Sequence, residues 1–390
     1  ALHNTLDWVA RAGEEDDRIG IVVFSDNAKY DLESAGEYTQ GAGGGALLIR
    51  HNPRLISIPD RWGVSTSPVH DFFKPRREVS IKSVISHVVQ LARETGASIK
   101  EGMVDRMVRH LPESTVRRMG IFSHGVDRVQ VHRDEPVFDG QFSNQCYQDA
   151  VEEAFRDFRS KAITDGRWDP DGETVLTEDW ARIIMHLPYA FQAKRMFPAV
   201  FAYERRGSAS WADVETEIGL PPSIDDFDDT PEGQAEHAKA MDGYRRSISK
   251  TQAYRDFHAD RIEKGQRASS LIGNQYTGSI FLAMMSTFES DYEADSPLDG
   301  RQFGLCGYGS GAKAKVFEGI VSDRWREVVA SWNLFERMAG RMAIDQVTYE
   351  LLHKGIHEGS VLKPRGEFAL VEIEGGEGEL EGARTYAWVE

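Results

Sequence analysis

The chain has 390 residues, of which 40% are apolar and 28% charged, with a formal net charge of −17. That balance describes an ordinary soluble globular chain of two or three structural units, and it excludes non-specific nucleic-acid binding because no basic stripe can displace counterions from phosphates. No apolar run is long enough to span a bilayer and no signal-peptide pattern is visible, so no membrane partner and a cytoplasmic location are expected; two cysteines, Cys146 and Cys306, cannot form a disulfide framework and fit a reducing compartment.

Residues 1–9 carry a helical apolar pattern that predicts a helix to about Ala12. With no initiator Met and a start inside that pattern, the chain reads as a fragment, a processed product or a renumbered chain. Ile19-Gly20-Ile21-Val22-Val23-Phe24-Ser25 is a continuous apolar run that predicts a buried strand. Gly41-Ala42-Gly43-Gly44-Gly45-Ala46-Leu47-Leu48-Ile49 predicts a glycine turn feeding a second buried strand. A dinucleotide fingerprint would need the strand before the turn and a helix after it, and here the order is reversed. These glycines are read instead as permitting close packing of helices or the approach of a ligand.

Residues 79–133 form a distinct segment, with helical periodicity over 80–94 and 101–111 and a turn at Pro112-Glu113-Ser114-Thr115 before another short helix. Residues 143–161 predict a long amphipathic helix, and 181–185 a short buried strand ending at His186. Residues 207–243 are the most polar stretch, holding Pro221-Pro222 and the acidic run 224–229, and predict a surface loop with short helices. That run and a second acidic one at 374–379 read as solvated loops rather than cation sites. Residues 269–288 predict an apolar, small-residue helix buried between two sheets, 302–307 a strand, and 323–342 further helix. Buried strands alternating with helices give an α/β class. His87, His110, His124 and His132 match no metal spacing, so no metal site is expected.

Three short motifs carry the chemistry. They are Met185-His186-Leu187-Pro188-Tyr189, Gly273-Asn274-Gln275-Tyr276-Thr277-Gly278-Ser279, and Gly307-Tyr308-Gly309-Ser310-Gly311-Ala312. Taken singly, the first is a core histidine after a strand, the second a helix N-cap and the third a glycine-rich turn. Taken together and in this order, they resemble the His, Asn and Gly-Ser-Gly elements of thiolase-fold condensing enzymes. The resemblance is to the hydroxymethylglutaryl-CoA synthases, particularly the archaeal-type form, and it runs over nearly the whole chain. Phe24-Ser25-Asp26-Asn27-Ala28-Lys29-Tyr30, Thr39-Gln40-Gly41-Ala42-Gly43, His70-Asp71-Phe72-Phe73-Lys74-Pro75, Asp139-Gly140 through Gln145-Cys146-Tyr147, and the tail 384–390 all contribute to it.

The resemblance implies a thiolase-like fold, layered αβαβα, with its amino-terminal half incomplete. Residues 1–78 would be the remainder of that half, 79–133 a helical insertion and 134–390 the carboxy-terminal half. It implies an acyltransferase of the mevalonate pathway that condenses acetyl-CoA with acetoacetyl-CoA through an acetyl-Cys intermediate, using coenzyme A thioesters as substrates and no cofactor. By resemblance, His186 and Asn274 hold the acetoacetyl carbonyl and its developing alkoxide. The Ser310 N–H faces the acetyl thioester oxygen, and Asp26 is a fourth catalytic candidate. Tyr30, Thr39, Asp71, Tyr276, Gly309 and Gly311 are substrate-binding candidates. Lys194 and Arg195 stand in for a Lys that animal synthases carry near the CoA phosphates, where this chain has Phe191. The family's nucleophilic Cys and general-base Glu have no counterpart here and are expected upstream of Ala1. Cys146, early in an amphipathic helix, and Cys306, inside an apparent buried strand, are poor substitutes because a catalytic thiol needs exposure and a lowered pKa. A homodimer is expected. Three other readings stand beside the synthase: a split enzyme whose partner chain supplies the Cys, a non-catalytic acyl-CoA-binding subunit or scaffold for a thiolase, and a polyketide β-branching synthase using acyl-carrier protein donors.

Overall fold

The apolar spacing of residues 140–164 dictates the central packing event. Tyr147, Ala150, Val151, Ala154, Phe155, Phe158 and Ala162 recur every three to four residues and are all buried on one face of the helix Gly140–Thr164. Asp139 starts this helix: its Oδ1 accepts the Gln141 and Phe142 N–H groups at 2.8 and 2.9 Å. The computed structural model describes residues 1–11, 18–97, 100, 102, 106, 128–132, 135–168, 175–208, 211–357, 359–375 and 380–390. The helix expected over 101–111, the turn at 112–115, His110, His124 and residues 376–379 of the second acidic run lie almost wholly outside that set.

Two units emerge from the packing, residues 1–73 with 135–341, and residues 74–134 with 342–390. In the first unit the strands are β1 (Ile19–Ala28), β2 (Gly41–Arg50), β3 (Ile56–Ser57), β4 (Trp62–Thr66) and β5 (Phe72–Phe73). In the second, β6 (Arg76–Ser80) pairs antiparallel with β7 (Arg128–His132), so the ends of the distinct 79–133 segment meet in a ladder. The first unit continues with β8 (Val137–Phe138), β9 (Trp180–Met185), β10 (Gln302–Gly309) and β11 (Lys313–Val321). The second unit ends in the hairpin of β12 (Glu367–Ile373) and β13 (Arg384–Val389), and its helix Ile81–Glu94 matches the periodicity of 80–94.

The main sheet runs β3-β11-β10-β9, with β4 also on β11. β9 and β10 are parallel, whereas β10 and β11 form an antiparallel pair closed by residues 310–312. The helix Gly140–Thr164 lies against β4: Val64 donates its N–H to Asp157 at 2.8 Å and Ser65 its hydroxyl to Glu153 at 2.7 Å. Trp180, Phe155, Phe158, Phe303 and Trp325 are fully buried in this core, each contributing on the order of 1.5–3 kcal/mol by burial. The buried Glu318 carboxylate is met by Trp180 Nε1 at 2.7 Å and by Arg167, so its desolvation is offset.

Besides the polar stretch 207–243, which enters the 18-residue helix Pro231–Ile248 rather than only short helices, three elements differ from expectation. β1 is a strand, but not a buried one: Ile19, Ile21 and Val23 are 53%, 65% and 71% exposed while Val22 is buried. β1 pairs with β2 alone among the described residues, and only one of its faces is packed. Second, Gly41 to Gly45 belong to β2 itself rather than to a turn before it. Third, the single helix expected over 269–288 is two helices, Glu263–Ile272 and Ser279–Glu293, separated at Gly273. Gly273 has φ +88°, which a right-handed helix cannot accommodate, although the apolar periodicity continues on both sides.

Candidate active site

The break at Gly273 places Asn274. A Cβ on Gly273 would lie 2.0 Å from the Gln40 carbonyl oxygen, so only glycine lets the chain pass this close to the residues leading into β2. Asn274 N–H then donates to the Thr39 carbonyl at 2.9 Å. Its side chain is 2% exposed, with Oδ1 accepting from the Tyr276 N–H at 2.8 Å and the Ser279 hydroxyl at 3.1 Å. Asn274 is not the helix N-cap its motif suggests, since Gln275 and Gly278 hold the N-cap positions that follow it; its Oδ1 closes the turn, and among the described residues its Nδ2 reaches only the Tyr30 hydroxyl, at 3.4 Å. Tyr276 follows with φ +42°, a left-handed conformation costly for a non-glycine residue.

His186 sits one residue beyond β9. Its N–H donates to the Cys306 carbonyl at 2.9 Å and its carbonyl accepts the Tyr147 hydroxyl at 2.8 Å. The imidazole borders a cavity yet is packed round by protein, and this desolvation lowers its pKa from 6.5 to about 4. At neutral pH it is an uncharged ring that can donate one hydrogen bond without bringing a cation. Ser310 stands on the β10–β11 turn, which Asp71 holds from beneath. The fully buried Asp71 accepts the Tyr308 hydroxyl at 2.6 Å through Oδ2 and the Gly311 N–H at 2.9 Å through Oδ1. Burial and the Asp71 carboxylate push the Tyr308 phenol far up, so it remains a donor.

These groups meet. A cavity of about 740 Å³ is lined by His186, Asn274, Ser310, Tyr30, Thr39, Tyr276, Gly309 and Arg195, with Ala1, Leu2, Val22, Phe24 and Phe281 among its apolar walls. Four of the sequence candidates stand outside the lining. Asp26 accepts the Thr277 N–H at 3.1 Å, closing the turn after Asn274. Asp71 and Gly311 form the support under Ser310. Lys194 bears on His258, whose pKa its charge helps to lower, while Arg195 donates to the Tyr189 hydroxyl at 3.0 Å beside the cavity. The sequence reading passed over Tyr308 and Tyr147, although both lie inside motifs it quoted; their rings pack 4.6 Å apart behind His186 and Asp71.

Neither cysteine offers a nucleophile. Burial pushes the Cys306 thiol up to about 12, and burial together with Asp71 and Asp149 raises that of Cys146. Among the described residues, His3, Asp7 and Asp60 come close enough to share a cation, but the Lys315 ammonium, 2.6 Å from His3 Nδ1, already places positive charge there. No helix among the described residues is long and apolar enough to cross a membrane.

A neutral imidazole, a buried amide and a glycine-flanked turn converge from three separate elements on one largely apolar cavity in a mixed α/β frame. Residues 129–357 match the family model described as hydroxymethylglutaryl-coenzyme A synthase C terminal. The hydroxymethylglutaryl-CoA synthase of Haloferax volcanii is 26% identical over the whole chain and that of Schizosaccharomyces pombe 23% identical over 94% of it. The chain spans 72% of the first relative's length and 66% of the second's. Among solved structures, MvaS in complex with 3-hydroxy-3-methylglutaryl coenzyme A superposes with a TM-score of 0.66 at 25% identity, over the whole chain and 71% of MvaS. The fold is thiolase-like. The chain belongs to the hydroxymethylglutaryl-CoA synthase family, and its relatives are acyl-CoA condensing enzymes that form carbon–carbon bonds.

Proposed function

We propose that these residues carry the acceptor-binding and oxyanion-stabilising part of a hydroxymethylglutaryl-CoA synthase site, in which acetyl-CoA condenses with acetoacetyl-CoA. The observation that carries this reading is the convergence of His186, Asn274 and Ser310 on one cavity, with the imidazole neutral. In the reaction a Cys thiolate takes the acetyl group from CoA, and a base removes a methyl proton from the acetyl-enzyme. The resulting carbanion attacks the acetoacetyl ketone, whose oxygen takes the electron pair and then a proton. Water finally cleaves the enzyme thioester. The neutral His186 and Asn274 Nδ2 would donate to the ketone oxygen as its charge develops, and the Ser310 N–H to the acetyl thioester oxygen. Because neither Cys146 nor Cys306 fits the nucleophile, this reading takes the Cys and the base Glu from outside the 390 residues. Ala1 and Leu2 line the same cavity. The reaction needs no metal or prosthetic group, and a cytoplasmic homodimer in the mevalonate pathway is the setting that goes with it.

The test is product formation by the full-length enzyme. His186→Ala and Asn274→Ala should each lower turnover by about a hundredfold or more, the usual loss for one oxyanion donor, with unfolding midpoints near the parent's. Near-normal rates in either variant would remove that residue from the mechanism.

A further inference from the structure

Several polar side chains of the cavity are left unused by the chemistry above, Gln192 among them. Gln192 begins the short helix Gln192–Met196, six residues after His186, and is 2% exposed. Its Nε2 donates to Asn144 Oδ1 at 3.1 Å, bridging to the first turns of the helix Gly140–Thr164. Its Oε1 is buried and has no hydrogen-bond partner among the described residues. Both residues line the cavity, whose walls are otherwise mostly apolar. A desolvated carbonyl oxygen in such a place is costly unless a ligand supplies a donor.

We infer that Gln192 and Asn144 form a subsite for an amide of a phosphopantetheine thioester. This rests on the acyl-thioester reading of the site. The cavity-lining positions 186, 189, 192 and 195 follow one another along a single stretch of chain. They run from the enclosed neutral imidazole of His186, through the buried amide of Gln192, to the exposed guanidinium of Arg195 beside the Tyr189 hydroxyl. A phosphopantetheine thioester presents the same order of chemistry: a thioester carbonyl, then amides, then a phosphate. A plain hydrocarbon chain would leave Gln192 Oε1 unpaired. Turning both amides over keeps the bond between Gln192 and Asn144 and aims Nε2 at the cavity instead. A pantetheine amide answers either arrangement, because it carries both an N–H and a C=O.

The test is calorimetric titration of the full chain with CoA, with 4′-phosphopantetheine, and with an arm analogue whose amide nearest the sulfur is replaced by a methylene pair. Gln192→Met should weaken CoA and 4′-phosphopantetheine by the same factor, about tenfold, as expected for one neutral hydrogen bond. The analogue should bind the parent about tenfold more weakly than 4′-phosphopantetheine does, and Gln192→Met should weaken it no further. Equal weakening of all three ligands would make Gln192 a structural residue and overturn the inference, as would unchanged affinity, which would leave the oxygen to water. CoA that fails to bind the parent chain would sink the acyl-CoA reading itself, whereas CoA bound equally by parent and variant sinks only the subsite. Asn144→Ala, which unties Gln192 without removing it, carries the same expectation and serves if Gln192→Met does not fold. Acetyl-CoA and an acetylated carrier protein, titrated side by side, separate the two sources of the arm: the source used binds more tightly to the parent.

Discussion

Asp71 is the residue whose removal best tests how the Ser310 turn is held. It is 0% exposed and accepts two hydrogen bonds, from the Tyr308 hydroxyl at 2.6 Å and the Gly311 N–H at 2.9 Å. Bonds to a charged acceptor contribute about 1.5–3 kcal/mol each. Asp71→Ala strands both donors in the interior, so a loss of about 3–6 kcal/mol is expected. Asp71→Asn keeps the shape. Its Oδ1 can still take the Gly311 N–H, and its Nδ2 can donate to the Tyr308 oxygen, which reverses its role. Only the charge assistance disappears, and the loss should be about 1–2 kcal/mol. Tyr308→Phe removes one donor and falls between the two. Urea unfolding of the chain at pH 7 measures each loss. In the full-length enzyme, Asp71→Ala should also reduce turnover by about a hundredfold, because a turn displaced by an ångström misplaces the Ser310 N–H. The double variant Asp71→Asn/Tyr308→Phe closes a cycle whose single losses should not add, since both act on one bond. Strict additivity, or an Asp71→Ala chain within about 1 kcal/mol of the parent, would refute the account.

Two shorter predictions concern protons and backbone. Burial, aided by the Lys194 charge and opposed by the bond to Gln266, lowers His258 from 6.5 to about 4, and burial does the same for His186. The unfolded chain therefore binds more protons than the folded one between those values, so stability is fully present above pH 6.5 and drains away as pH falls toward 4. His258 alone should cost about 2 kcal/mol between pH 7 and 5, visible as a lower urea midpoint, and His258→Gln should remove that share of the slope. A flat profile from pH 7 to 5 would contradict the burial argument. At Gly273 the positive φ and the Gln40 oxygen 2.0 Å from any Cβ oppose a side chain. Gly273→Ala should destabilise by more than about 2 kcal/mol in a thermal or urea melt and lower turnover through Asn274, and a melt matching the parent's would show that the segment relaxes freely.

What was legible in the sequence was whatever is encoded over a few residues. The strand before His186, the amphipathic periodicity of 143–161 and the order of the His, Asn and Gly-Ser-Gly motifs are local patterns, and each describes the chain as it folds. Burial is a different kind of property. Ile19, Ile21 and Val23 spell a core strand, yet they are exposed because burial depends on what covers the second face of β1, which no short pattern states. The same limit divides the candidate site. The motif marks Asp71 as a substrate-binding candidate, whereas the group it holds is Tyr308, 237 residues away in the chain. His186 stays neutral well below its ordinary pKa of 6.5 because the surrounding packing desolvates it. Asn144 and Gln192 carry the point furthest, since no short pattern marks either as the partner of the other, and 48 residues of chain separate them. Their bond consumes one end of Gln192 and buries the other, so the polarity of the cavity wall is a property of the pair. A variant at either position should therefore alter ligand recognition through the other, which is why the amide arm and not the thioester is the part of the ligand that reports on them.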